Sequence, residues 1–66
     1  MKLAVGLCYT VLLADGAAVS FRFTGQNSSG TVICESPPGS GTSVDLFKLL
    51  GGGYTAYWEI DCPKSD

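Results

Sequence analysis

Residues 3–24 read LAVGLCYTVLLADGAAVSFRFT, two apolar arms set on either side of Asp15-Gly16. In the first arm Leu3, Val5, Leu7, Tyr9, Val11 and Leu13 hold the odd positions, with Lys2, Gly6, Cys8 and Thr10 on even ones. In the second arm Val19, Phe21 and Phe23 alternate with Ser20, Arg22 and Thr24. Alternation with a period of two is the strand period, because successive side chains point to opposite faces of a sheet. One apolar face beside one polar face is the pattern of a half-buried antiparallel strand. Asp-Gly suits a two-residue type I′ turn, whose central residues both need positive φ. The stretch is therefore expected to form a hairpin of strands 3–13 and 18–24, turning at Asp15-Gly16, with Val19, Phe21 and Phe23 in the core.

Downstream, Gly25-Gln26-Asn27-Ser28-Ser29-Gly30 gathers turn-forming residues and should reverse the chain. Thr31 to Glu35 then reads as a short β-branched strand, ended by Ser36-Pro37-Pro38, since proline cannot donate to a ladder. Residues 43–50 fit two structures. A helix would be capped by Thr42 or Ser43, with Asp45 in its first turn, Lys48 near its end and Gly51 in the left-handed position beyond it. A strand would place Val44, Leu46 and Leu50 on one face and use Gly51-Gly52-Gly53 as its loop. The helix is favoured, because Val44, Phe47 and Leu50 recur at helical spacing. The last element is firmer: Tyr54, Ala56, Trp58, Ile60 and Cys62 alternate with Thr55, Tyr57, Glu59 and Asp61 before Pro63. Its even-numbered face is expected to be apolar, which makes Trp58 a core residue. The fold class that follows is mainly β, all-β or α+β, a small antiparallel meander or barrel of four to five strands with one short helix at about 43–50.

Length sets further bounds. The chain has 66 residues, enough for a single small β domain over 1–66 and near the lower limit of what a core sustains unaided. It is 45% hydrophobic and 15% charged, against roughly 25% charged in an average domain. So small a body cannot enclose all of that apolar material, which points to an apolar face or strand edge covered by a second copy or a partner. The net charge of −2 and four scattered cations, Lys2, Arg22, Lys48 and Lys64, argue against nucleic acid, whose phosphates need clustered positive charge.

Candidates for chemistry are few. Histidine is absent, which removes the commonest general base and metal ligand and any triad of the usual form. Glu35, Asp45, Glu59 and Asp61 are the carboxylates inside elements. Glu59 and Asp61 share one strand face rather than opposing each other across a cleft, so they read as solvated charges. Cys8, Cys34 and Cys62 lack the close spacing of zinc or redox sites. They are expected to be buried and reduced, with one disulfide plus a free thiol as the alternative. No metal and no cofactor are expected, and enzyme activity is not.

Two weaker sites remain. Gly39, Ser40, Gly41, Thr42 and Ser43 could cradle an anion with backbone amides, although the loop lacks the lysine of a phosphate-binding loop and the third glycine of a dinucleotide fingerprint. Tyr54, Tyr57 and Trp58 could stack on a sugar or a peptide, with Tyr57, on the polar face beside Glu59, the better contact residue. Asn27-Ser28-Ser29 matches a glycosylation acceptor that nothing else in the chain supports. The N-terminal stretch has the outline of a short signal sequence, but its alternation suits a strand better, and its apolar run falls short of the roughly 20 residues a membrane helix needs. The expected function is a non-enzymatic protein-interaction module that self-associates, as a homodimer, through an apolar sheet face or strand edge. The alternative is a binder of a small anion or sugar. The expected location is cytoplasmic, with secretion as the alternative, and no membrane or nucleic-acid partner is expected.

Overall fold

A computed structural model describes residues 2–63. It contains β1 (Cys8–Leu13), β2 (Ala18–Gln26), β3 (Val32–Glu35), β4 (Ser43–Asp45), α1 (Leu46–Leu50) and β5 (Tyr54–Ile60). The strands form one antiparallel sheet in the order β4-β3-β2-β1-β5. Strands β1 to β4 follow one another as a meander, and β5 returns to pair with β1, so β4 and β5 are the two edges. The sheet is open, the meander rather than the barrel of the two alternatives. Eight residues, Leu46 to Gly53, carry the chain from one edge to the other. At about 4.8 Å between strands, that crossing leaves room for one short helix and a glycine linker.

The first hairpin forms where alternation places it, with Tyr9 opposite Phe21 and Val11 opposite Val19. Its turn differs from the expected type. The Gly16 N–H donates to Leu13 O at 3.0 Å and the Leu13 N–H to Ala17 O at 2.7 Å, with Gly16 at φ +92°. This is a type I turn closed by a glycine bulge, in which only Gly16 needs positive φ and Asp15 keeps an ordinary one. The Asp15 carboxylate accepts the Ala17 N–H instead. Asn27 to Thr31 repeats the device, with Gly30 at φ +83° and the Asn27 side chain accepting from Ser29 and Thr31.

The first strand is shorter than its alternation suggests, beginning at Cys8 rather than Leu3. The Leu7 N–H donates to Ala4 O and Gly6 takes φ +91°, so a turn interrupts the arm and leaves Val5 69% exposed. Leu3 still packs on the core. Two tyrosine hydroxyls hold this segment down: Tyr9 accepts the Ala4 N–H at 2.9 Å and Tyr57 accepts the Lys2 N–H at 3.0 Å. A buried tyrosine gains from such a partner for its polar tip.

The core lies on the face crossed by α1. It comprises Tyr9, Val11, Phe21, Cys34, Leu46 and Leu50, with Val19, Phe23, Leu13 and Tyr57 half-buried against it. Of the expected core residues, Phe21 is fully buried and Val19 and Phe23 line the cluster. Trp58 is a correction: it is 47% exposed, on the opposite face. Residues 43–50 divide between the two expected structures, a strand through Asp45 and a helix from Leu46. The cap is Asp45 rather than Thr42 or Ser43, its carboxylate accepting the Phe47 and Lys48 N–H groups. Gly51 ends the helix at φ +64° and ψ −121°, a positive-φ conformation open to glycine but outside the left-handed helical region expected for it, and its N–H donates to Phe47 O.

The three cysteines are not all reduced. Cys8 and Cys62, 54 residues apart, form a disulfide on the face away from α1, while Cys34 is free and buried in the core. Pairing of β1 with β5 sets Cys8 opposite Ile60, two residues before Cys62 and on the same side of the strand. That juxtaposition is tertiary, and no spacing in the sequence announces it.

Candidate functional site

Strand β5 is the longer of the two sheet edges, seven residues against three in β4. Its main-chain groups can be assigned from the ladder. Across β1 and β2 the Leu13 N–H donates to Ala17 O and the Phe23 N–H to Leu7 O, so the odd residues of β1 turn their main chain toward β2. The even residues Cys8, Thr10 and Leu12 turn theirs toward β5, where they stand opposite Ile60, Trp58 and Ala56. Tyr57 and Glu59 therefore direct their N–H and C=O groups outward, along an edge that no described strand covers. A bulge ends the regular stretch: Leu12 faces Ala56 and Leu13 faces Tyr54, which leaves Thr55 as the extra residue. The Thr55 hydroxyl donates to Leu12 O at 3.3 Å.

That bulge also sorts the aromatic side chains. By simple alternation Tyr54 belongs with Trp58, but the extra residue moves it to the face of Tyr57. The two tyrosine rings meet edge to face at 5.8 Å. Trp58 stands alone on the other face, beside Ala56 and Ile60 and opposite Thr10. Tyr54, Tyr57 and Trp58 thus do not converge on one ligand. Tyr57, expected on the polar face, packs against the core, while Trp58 has the exposed ring.

The glycine-rich loop at residues 39–43 is drawn around a carboxylate of its own chain. The Gly39 N–H donates to Glu35 Oε1 and the Gly41 N–H to Glu35 Oε2 at 3.2 Å, while the Ser40 hydroxyl accepts the Thr42 N–H at 3.3 Å. Arg22 stands behind the same carboxylate, its Nε 3.8 Å from Oε1. Ser43 opens β4, so the loop leads into a strand and not onto a helix N-terminus. The amides expected to face an external anion are thus turned to Glu35, four residues earlier in the chain, a partner that the loop's own sequence does not indicate.

A groove of about 560 Å³ opens on the core face because the five-residue helix covers only part of the sheet. Leu3, Phe23, Val32, Phe47, Leu50 and Tyr54 are among its lining residues, and Phe47 is 66% exposed. The opposite face is polar at its centre, where the Thr10 and Ser20 hydroxyls share a hydrogen bond of 2.9 Å and Ser36 donates to Ser20 O. Burial pushes the Cys34 thiol up to about 11, with the Asp45 carboxylate adding to the effect, so this cysteine is a protonated core residue at neutral pH. Among the described residues no three histidine, cysteine or acidic side chains come together as a metal site, and no helix is long and apolar enough to cross a membrane.

Comparison of the chain with protein-family models, with curated proteins and with solved structures finds no match.

Proposed function

We propose that this protein is a non-enzymatic interaction module that binds by strand addition at the free edge of β5, and that it self-associates there. The observation that carries this reading is the outward main chain of Tyr57 and Glu59 on an edge strand with Trp58 exposed between them. Edges of this kind are usually blunted by lysine, proline or shortness. Strand β5 has no lysine and no proline, and its bulge at Thr55 protects only its beginning. The other edge is the blunted one: β4 has three residues and runs directly into α1. Strand addition supplies main-chain hydrogen bonds for affinity and uses flanking side chains for specificity. Sedimentation over a range of concentrations, on the wild-type chain and on Glu59→Pro, whose side chain is exposed, tests the reading. The wild type should gain mass with concentration, and the proline, which removes one outward N–H, should abolish the gain. A wild-type chain that stays at 6.9 kDa throughout would remove the reading.

A small-ligand function keeps one specific support, the groove between α1 and the sheet. Its volume lies within the range of about 300–1,000 Å³ typical of ligand sites, and its lining suits an apolar ligand better than an anion or a sugar. Titration with an environment-sensitive apolar dye, with and without Phe47→Ser, tests it.

The Cys8–Cys62 bridge favours an oxidising compartment over the cytoplasm for this module.

A further inference from the structure

We infer that the partner at the β5 edge is a second copy of this chain, paired antiparallel about a two-fold axis that passes beside Trp58; the inference rests on the strand-addition reading and specifies its partner and register. The outward residues Tyr57 and Glu59 bracket Trp58, and this spacing selects the register. With the axis at Trp58, Tyr57 of one copy faces Glu59 of the other on both sides of the axis. Each such pair exchanges two main-chain hydrogen bonds, so all four outward groups of each edge are satisfied. Trp58 then faces its own counterpart in a non-hydrogen-bonded position, where Cα atoms approach to about 4.5 Å and side chains are closest.

Side chains favour the same register. On the face away from α1, the two exposed indoles lie side by side, and Ala56 of each copy stands opposite Ile60 of the other, small against large. On the α1 face, the Glu59 carboxylate lies beside the partner copy's Tyr57 and not beside another carboxylate. The two adjacent symmetric registers each carry a defect. An axis at Glu59 sets like charges directly opposite each other, which is destabilising. An axis at Tyr57 sets Glu59 against Thr55, where the bulge breaks the ladder. The two-fold also closes the assembly. Pairing β5 with β4 of the next copy would grow an open filament, but β4 offers three residues before its chain turns into the helix.

Single-cysteine scanning of the edge reads the register. Tyr57→Cys, Trp58→Cys and Glu59→Cys, each with the Cys8–Cys62 bridge intact, are oxidised with diamide and run on a non-reducing gel. Trp58→Cys should form the cross-linked dimer, at least tenfold faster than the other two. Because losing the indole weakens the dimer it reports on, a mixture of isotope-labelled and unlabelled wild-type protein supplies a second measurement. An intermolecular Hα–Hα contact between Trp58 and its counterpart is expected in filtered NMR spectra. Intermolecular contacts centred on Tyr57 or Glu59 would overturn this register and leave strand addition standing. A wild type with no intermolecular contact and no gain of mass on concentration would overturn both.

Discussion

Tyr57 and Trp58, adjacent in the chain, face opposite sides of the sheet, Tyr57 across from Val11 in the core and Trp58 across from Thr10 on the polar side. Their substitutions should therefore separate folding from association. Tyr57→Ala removes a ring packed on the core and the acceptor of the Lys2 N–H, and should cost about 2–3 kcal/mol of stability. Trp58→Ala should cost less than about 1 kcal/mol in dilute protein, where the chain is monomeric, because its side chain is already half in water. Urea unfolding at low concentration measures both, and the larger loss should fall on the tyrosine.

The Cys8–Cys62 bridge joins the start of β1, the strand next to the edge, to the chain just past the end of β5. Thiol titration in denaturant without reductant should count one free group, Cys34. A bridge closing a 54-residue separation restrains the unfolded chain strongly, so reduction should lower stability by about 2–4 kcal/mol. Unfolding curves with and without reductant check the loss.

What the sequence made legible is the pairing of local alternation with turns. The second hairpin arm, the first arm from Cys8 onward, the third strand, the last strand and both turn sites are in place, because period-two patterns and Asp-Gly or Asn-Ser-Ser-Gly report on neighbouring residues alone. Other features needed contacts that alternation does not encode. Alternation alone assigns the apolar even-numbered face of β5 to the core, but pairing with β1 sets Tyr57 beside the buried Val11 and Trp58 opposite Thr10, so register overrides the pattern and sends Tyr57 inward and Trp58 outward. The bulge at Thr55 swaps the face of Tyr54, and nothing in Tyr54-Thr55-Ala56 marks it. The disulfide and the closure of the Gly39–Gly41 loop on Glu35 depend on strand register. Asp45 was legible as an acidic residue at a helix start, but not as the cap itself, because Ser43 and Val44 had first to be claimed by β3.

The cap has its own test. Asp45→Ala should cost about 1 kcal/mol by freeing the Phe47 and Lys48 N–H groups, whereas Ser43→Ala, at the exposed start of β4, should fall within about 0.5 kcal/mol of the wild type. Thermal melts of the two variants side by side distinguish the capping residue.

Cys34 should make the fold sensitive to alkali. Its thiol, ordinarily near 9.0, is held at about 11 by burial and by Asp45, so between these values the unfolded chain loses its proton first. The unfolded state then binds fewer protons than the native state, and stability falls as pH rises. Stability contributed by the protonated thiol is complete below about 9.0 and lost as pH climbs to about 11. Cys34→Ala should be less stable at neutral pH yet lose less over that window, as denaturant midpoints at a series of pH values would show.

Strand addition at β5 is tested most directly by amide hydrogen exchange at Tyr57 and Glu59, followed residue by residue at several protein concentrations. Ala56, Trp58 and Ile60, whose main chain faces β1, should be protected at every concentration. Tyr57 and Glu59 should exchange freely in dilute protein and become protected together as concentration rises into the range where a dimer of roughly micromolar to millimolar Kd forms. Fast exchange at both amides that does not change with concentration would contradict the account.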